Sequence, residues 1–273
     1  MSNHFYAVIG NPVAHSLSPK IHQLFAKQTH RSISYEKKLV GINQFDETLD
    51  ELRAQGLKGA NITVPFKSAA LHYADKCDKT AKEAGAASAM KFSEDGLSLA
   101  VNYDGLALVR DMIDNLGWQL KGKHILILGA GGAVQGILSS LLDQLPMRVV
   151  IVNRTLDKAQ KLVDKFSKQT DLRATDYHHL KKETFDVIIN GTSASLKNEL
   201  PPLSHEVINS NTDCYDLAYA NKPTAFLAWA KKQGCKQCSD GIGMLIEHNA
   251  ECFYFWFGVR PLTQPVIQQL RSN

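Results

Sequence analysis

The stretch His124-Ile125-Leu126-Ile127-Leu128-Gly129-Ala130-Gly131-Gly132-Ala133 decides the fold of this chain. Ile125 to Leu128 are apolar at every position, the pattern of a central parallel strand buried on both faces. A helix is expected after the glycines, to about Leu145. Strand, glycine turn and helix in that order form the setting of a dinucleotide-binding turn. Gly129 permits the tight turn. Gly131 lets the backbone approach a pyrophosphate resting on free N–H groups at the helix N-terminus. Ala130, Gly132 and Ala133 complete the turn, and Val134 takes the place of a sixth-position glycine, so the fingerprint is a variant.

Moving outward, Arg148 to Val152 reads as the next strand, followed by Asn153-Arg154-Thr155 and, one turn later, Lys158. An NAD-specific site wants an Asp or Glu at this strand end for the ribose hydroxyls. An acid there would repel a 2′-phosphate, whereas Arg154 can clamp one with two hydrogen bonds. NADP is therefore the expected cofactor. Further on, Thr155 to Phe166 reads as a helix, Asp186 to Asn190 and Asp213 to Leu217 as strands, and Met244 to Phe257 as an apolar-faced helix. Pro261 leads into a short last helix.

Upstream, Tyr6 to Ile9, Ile33 to Val40 and Ala60 to Val64 read as strands. Pro19 to Lys27, Phe45 to Gln55 and a segment near Lys67 to Ala74 read as helices, the first with Ser18 as its cap and Pro19 at its first position. This rhythm implies an α/β chain with a mostly parallel sheet. Two domains are expected: residues 1–104, completed by the C-terminal helices of 241–273 packing back, and a Rossmann-like domain over 105–240.

Composition narrows the function. The chain has 273 residues, 44% hydrophobic and 21% charged, with a formal net charge of +4. Its basic residues form no block or arm, so nucleic acid is not an expected partner. No apolar stretch approaches the ~20 residues of a spanning helix, so no membrane partner is expected. The opening Met1 to Phe5 lacks a basic region followed by a long apolar run, so no secretion signal is expected. Five scattered cysteines point to a reducing cytoplasm. Cys235-Lys236-Gln237-Cys238 lacks the two further ligands of a zinc site, so no metal is expected; the pair reads as two incidental reduced thiols ahead of a redox pair. The aromatic group Phe253 to Phe257 reads as core or domain interface.

Several motifs, in order, resemble the shikimate dehydrogenase family nearly end to end. They are Gly10-Asn11-Pro12-Val13-Ala14-His15-Ser16-Leu17-Ser18-Pro19, Asn61-Ile62-Thr63-Val64-Pro65-Phe66-Lys67 and Asn102-Tyr103-Asp104-Gly105. The glycine turn, Asn153-Arg154-Thr155, Asn190-Gly191-Thr192-Ser193, Asp216-Leu217-Ala218-Tyr219 and Asp240-Gly241-Ile242-Gly243-Met244-Leu245 follow. The resemblance implies an NADP-dependent oxidoreductase of aromatic amino-acid biosynthesis that interconverts 3-dehydroshikimate and shikimate, with the substrate in a cleft between the domains. It implies that Ser16 and Ser18 bind the substrate carboxylate, that Asn61, Thr63 and Asp104 hold ring hydroxyls, and that Lys67 is the acid/base. Asn102 and Tyr219 join the substrate set, and Thr192, Ser193, Leu217 and Gly241 the cofactor set, through the same motifs. A monomer or homodimer is expected.

Hydride transfer itself needs little from the protein beyond a proton relay at the carbinol. Without the motif, Lys67 reads as an ordinary helix-start surface lysine and Asp104 equally as a helix cap. An adjacent carboxylate favours the ammonium, so Lys67 is expected to act mainly as acid and electrostatic stabiliser, with Asp104 orienting it. The resemblance departs at two substrate positions: Ser88 stands where the family has an asparagine, and His248 where it has a glutamine. These departures leave open a related quinate/shikimate-type dehydrogenase of altered specificity. A catalytically weak NADP-binding regulatory protein is the third reading, opposed by retention of both Lys67 and Asp104.

Overall fold

The computed structural model describes residues 4–166, 170–180, 183–197 and 199–272. The first three residues of the opening read for a secretion signal lie outside them. The chain divides into two compact units, residues 1–107 with 245–273, and residues 108–244.

The first unit holds strands β1 (Phe5–Gly10), β2 (Tyr35–Leu39), β3 (Leu57–Ile62), β4 (Lys76–Cys77), β5 (Ala89–Phe92) and β6 (Ser98–Val101). They form one sheet in the order β2-β1-β3-β5-β6-β4. The pairings are parallel except at β5, which runs antiparallel to both β3 and β6. Sequence periodicity does not anticipate strands β4 to β6, because two to four residues are too few to show a period. Helices α1 (Ser18–Gln28), α2 (Phe45–Ala54), α3 (Lys67–Tyr73) and α4 (Lys79–Ala84) connect the strands, and α5 (Asp104–Arg110) leaves the last one.

Ser18 is not the cap of α1. The helix already includes it, and Leu17, which makes no side-chain cap bond, occupies the cap position. Ser16 Oγ instead accepts from the Ser18 N–H at 3.3 Å.

Of the aromatic group near the C-terminus, Phe253 and Trp256 are core, Phe255 and Phe257 pack half-buried against it, and Tyr254 is exposed. Phe253 is fully buried, and Trp256 donates its indole N–H to Met90 O at 3.0 Å. A Cβ on Gly59 would stand 2.4 Å from that indole nitrogen, so β3 can carry only glycine beneath the ring. Arg260 ties the end of this segment down through Glu247 at 2.5 Å and Glu251 at 2.7 Å.

The second unit is a parallel sheet of β7 (His124–Leu128), β8 (Arg148–Val152), β9 (Asp171–Thr175), β10 (Val187–Asn190), β11 (Asp213–Asp216) and β12 (Gln237–Asp240). Their order is β12-β11-β10-β7-β8-β9, reversing direction about β7. Helices α6 (Gly132–Leu142), α7 (Leu156–Phe166) and α8 (Ala225–Lys232) cross between strands. Ile125 and Ile127 pack into one cluster and Leu126 and Leu128 into another, so β7 is buried on both faces. Such a switch point opens a crevice at the carboxyl ends of the strands, where ligands of open α/β sheets bind. Helix α9 (Ile242–Phe257) leads back to the first unit, followed by α10 (Gln264–Arg271).

Candidate active site

In the first unit, β1 and β3 end side by side. A Cβ on Gly10 would stand 2.3 Å from the Thr63 methyl and 3.3 Å from Val64 O, so the two strand ends approach closely at this glycine. The chain then turns into α3, whose first residue is Lys67. Asp104 is the first residue of α5, placed there by Asn102, whose Oδ1 accepts from the Asp104 N–H at 3.0 Å. Asn102 is itself fixed by donating to Ala86 O at 2.9 Å. Two helix starts thereby bring Lys67 Nζ to 2.5 Å from Asp104 Oδ2. Asp104 is 7% exposed. Burial pushes its carboxyl up, but the Lys67 charge, the His248 ring and the Lys67 hydrogen bond outweigh it and hold the pKa below the ordinary value.

His248 comes to the other carboxylate oxygen, with Nε2 3.7 Å from Asp104 Oδ1. Behind it, Asn61 Nδ2 lies 3.4 Å from His248 Nδ1. The Asn61 amide is oriented by its surroundings. Its Oδ1 accepts from Tyr35 OH at 2.5 Å and lies 3.2 Å from His22 Nε2, while its Nδ2 donates to Cys252 Sγ at 3.1 Å. An amide N–H facing Nδ1 makes that nitrogen the acceptor, which puts the ring proton on Nε2. His248 Nε2 is buried and has no hydrogen-bond partner among the described residues. Burial lowers the His248 pKa to about 4; Asp104 opposes the shift and Lys67 adds to it. His22 is lowered to about 3, again by burial first.

Asn61, Lys67, Asp104 and His248 thus form one connected constellation, with Asn102 one step behind. Ser88 is not part of it. It is fully buried, and its Oγ accepts from the Tyr103 N–H at 2.9 Å, so it has no open face for a ring hydroxyl. Ser16 and Thr63 are half-buried, and Ser18 is buried. Sequence reasoning missed His22, Tyr35 and Cys252, which lock Asn61. A signal for His22 exists: Ser18, Ile21, His22 and Phe25 form the buried face of α1.

In the second unit, a groove of about 590 Å³ lies at the switch point. Gly129, Ala130, Gly131, Gly132 and Ala133 line it, together with Asn153, Arg154, Thr155, Lys158, Thr192 and Ser193. Gly129 has φ +98°, a left-handed backbone, and a Cβ there would stand 3.1 Å from Gly191 O. Among the described residues nothing lies within 4 Å of where a Cβ on Gly131 or Gly132 would be, so the backbone is open to a ligand. Helix α6 starts here with Gly131 at its cap, a residue with no side chain to cap the first N–H groups. Arg154, Thr155 and Lys158 are exposed, and Asn153 Nδ2 donates to Thr155 O at 2.8 Å to shape the turn. Thr192 is fixed by its N–H and hydroxyl donating to Asn190 Oδ1 at 3.1 and 2.8 Å.

Tyr177 also lines the groove, unforeseen from sequence; burial raises its phenol to about 12 against the pull of the Arg154 charge. Open glycine backbone, the N–H groups at the start of α6 and three exposed cations of the lining, Arg154, Lys158 and Lys197, fit a phosphorylated dinucleotide. Glu199 is the acid in the lining. Leu217, Gly241 and Tyr219 lie outside it. They follow β11 and β12, on the far side of β10 from β7, and Gly241 is packed so closely that a Cβ would stand 2.3 Å from Leu217 O.

Two family models match the chain: the shikimate dehydrogenase substrate binding domain over residues 8–89, and shikimate / quinate 5-dehydrogenase over residues 110–199. A shikimate dehydrogenase (NADP(+)) of Cellvibrio japonicus is 47% identical over 268 residues, covering 98% of this chain and 97% of that protein. One of Coxiella burnetii is 49% identical, covering 98% of each. Among solved structures, an enzyme from Pseudomonas putida superposes with a TM-score of 0.93 at 42% identity, covering 98% of both chains. The shikimate 5-dehydrogenase of Thermus thermophilus, in complex with NADP(H) and shikimate, superposes with a TM-score of 0.88 at 29% identity, covering 98% of this chain and 99% of that one. On the paired family domains and on identity across nearly its whole length, this chain belongs to the shikimate dehydrogenase family.

Proposed function

We propose that this chain is an NADP-dependent shikimate dehydrogenase, interconverting 3-dehydroshikimate and shikimate in the aromatic amino-acid (chorismate) pathway. The observation that carries the reading is the Lys67–Asp104 pair at 2.5 Å, built from two helix starts whose sequence motifs match the family. Residues 1–104 with 241–273 are the substrate domain and 105–240 the NADP domain. The enzyme works in the cytoplasm, as a monomer or homodimer.

NADPH, when bound, supplies the hydride. The residues of this chain do the rest. Arg154, with Lys158 one turn on, takes the 2′-phosphate that distinguishes NADP from NAD, and the N–H groups at the start of α6 take the pyrophosphate. Ser16 and Ser18 receive the substrate carboxylate, and Thr63 a ring hydroxyl. Lys67 gives its proton to the carbonyl oxygen as that oxygen becomes the shikimate hydroxyl, and takes it back in the oxidative direction. Asp104 aims the amine and accepts from the neighbouring hydroxyl. His248 offers Nε2–H, the donor left without a partner among the described residues, to the ring. Asn61 holds the correct His248 tautomer from behind, and Asn102 fixes the start of α5.

The test is NADPH oxidation by purified protein with 3-dehydroshikimate and, separately, with 3-dehydroquinate. The reading expects turnover of the first. Turnover of 3-dehydroquinate alone moves the chain to a quinate-type specificity. NADPH binding with turnover of neither contradicts an enzymatic role.

A further inference from the structure

Three cysteines meet at the β11–β12 edge of the second sheet, apart from the groove. Cys214 on β11 and Cys238 on β12 are direct register partners. Cys235 precedes β12, and its Sγ stands 2.8 Å from Cys238 Sγ. Non-bonded heavy atoms ordinarily rest about 3.5–4.0 Å apart, so these sulfurs are already inside contact distance. Closing the gap to the ~2.05 Å of a disulfide takes a movement of less than about 1 Å. Cys214 is buried, whereas Cys235 and Cys238 are half-buried and reachable from solvent.

The local chemistry separates the thiols. Cys238 is lowered to about 6, first by a hydrogen bond from Cys214, with Cys235 and the Lys231 charge acting the same way against burial. Cys235 is pushed up to about 12, by burial first and then by its bond to Cys238. A thiol of lowered pKa with a partner thiol inside contact distance is the arrangement of a reactive dithiol.

We propose that Cys235 and Cys238 form a dithiol that low-molecular-weight disulfides, glutathione disulfide being the type, oxidise to an internal disulfide. The Cys238 thiolate attacks one sulfur of the small disulfide, forming a mixed disulfide and expelling one thiolate. Cys235 then loses its proton to solvent and attacks Cys238 Sγ, expelling the second. Two protein thiols are oxidised, one small disulfide is reduced to two thiols, and no other oxidant is needed. This site is independent of the dehydrogenase reading.

The test uses the full chain, reduced, freed of reductant and treated with glutathione disulfide. Lys236 separates the two cysteines, so trypsin cuts between them and only a disulfide keeps the fragments joined. Joined fragments are expected from the unmutated protein and not from Cys235→Ser or Cys238→Ser, and Cys235→Ser is expected to retain the small thiol on Cys238. At pH 7, iodoacetamide is expected to modify Cys238 at least about fivefold faster than half-buried Cys77, and Cys214→Ser to reduce that advantage. Cys235 and Cys238 left as free thiols or as separate adducts, or Cys77 oxidised as fast, would overturn the proposal.

Discussion

Lys67 Nζ reaches Asp104 Oδ2 at 2.5 Å while Asp104 remains 7% exposed, so the amine that serves the substrate is aimed by a carboxylate shielded from water. Removing the amine removes the proton carrier. Lys67→Ala is predicted to lower kcat by about 10²–10⁴, the range of general acid/base contributions, with NADPH affinity unchanged. Steady-state kinetics beside a direct NADPH titration measure both; full turnover in Lys67→Ala removes the assigned role.

Arg154 lines the groove, is exposed, and stands where an NAD-specific site needs an acid. A hydrogen bond to a charged group contributes about 1.5–3 kcal/mol, so Arg154→Ser is predicted to weaken NADPH by roughly 10- to 150-fold. NADH, which has no 2′-phosphate, is predicted to change little. Equal loss for both cofactors in a binding titration counts against a 2′-phosphate contact.

These two predictions rest on features of different legibility. Ile125 to Leu128 and the glycine turn are legible in sequence because strand, turn and helix are contiguous and their chemistry is local. Lys67 and Asp104 are legible only through their motifs, since nothing local distinguishes a helix-start lysine that faces a site from one that faces water. The support of Asn61 is not legible. His22 and Cys252 stand 39 and 191 positions from it, and only the folded sheet brings them together. Ser88 falls outside the site because the Tyr103 N–H occupies its oxygen, and its motif position says nothing of that bond.

The Asn61 amide holds the His248 proton on Nε2, which has no partner among the described residues. A glutamine supplies an equivalent N–H donor, whereas leucine supplies none. His248→Gln is predicted to keep most activity, and His248→Leu to raise the KM for 3-dehydroshikimate by roughly 5- to 150-fold, the effect of about 1–3 kcal/mol for an unmade buried hydrogen bond. The KM for NADPH is the internal control. Equal kinetics in the two variants remove the donor role.

Two buried histidines make stability depend on acid. His22 and His248 are held to about 3 and about 4, against an ordinary 6.5 in the unfolded chain. Between those values the unfolded state binds protons that the folded state refuses, so stability is fully present above pH 6.5 and falls on acidification toward pH 4. The slope is about 1.4 kcal/mol per pH unit for each histidine. His22→Phe, which keeps a ring on Tyr35, is predicted to flatten the fall in Tm between pH 6.5 and pH 5 whatever its effect at pH 7. An unchanged slope rejects His22 as a contributor.

Gly241 acts through packing, with Leu217 O 2.3 Å from where a Cβ would sit. Gly241→Ala is predicted to destabilise by about 1–3 kcal/mol, typical of overpacking, because the obstructing atom is backbone. Denaturant unfolding checks it; a variant of unchanged stability contradicts the close approach.

The most direct measurement is the initial rate of NADPH oxidation with 3-dehydroshikimate, for the purified protein and for Lys67→Ala side by side. The Lys67–Asp104 account predicts steady turnover in the first and a loss of at least about a hundredfold in the second, with NADPH still bound by both. No turnover of 3-dehydroshikimate by the unmutated protein would contradict it.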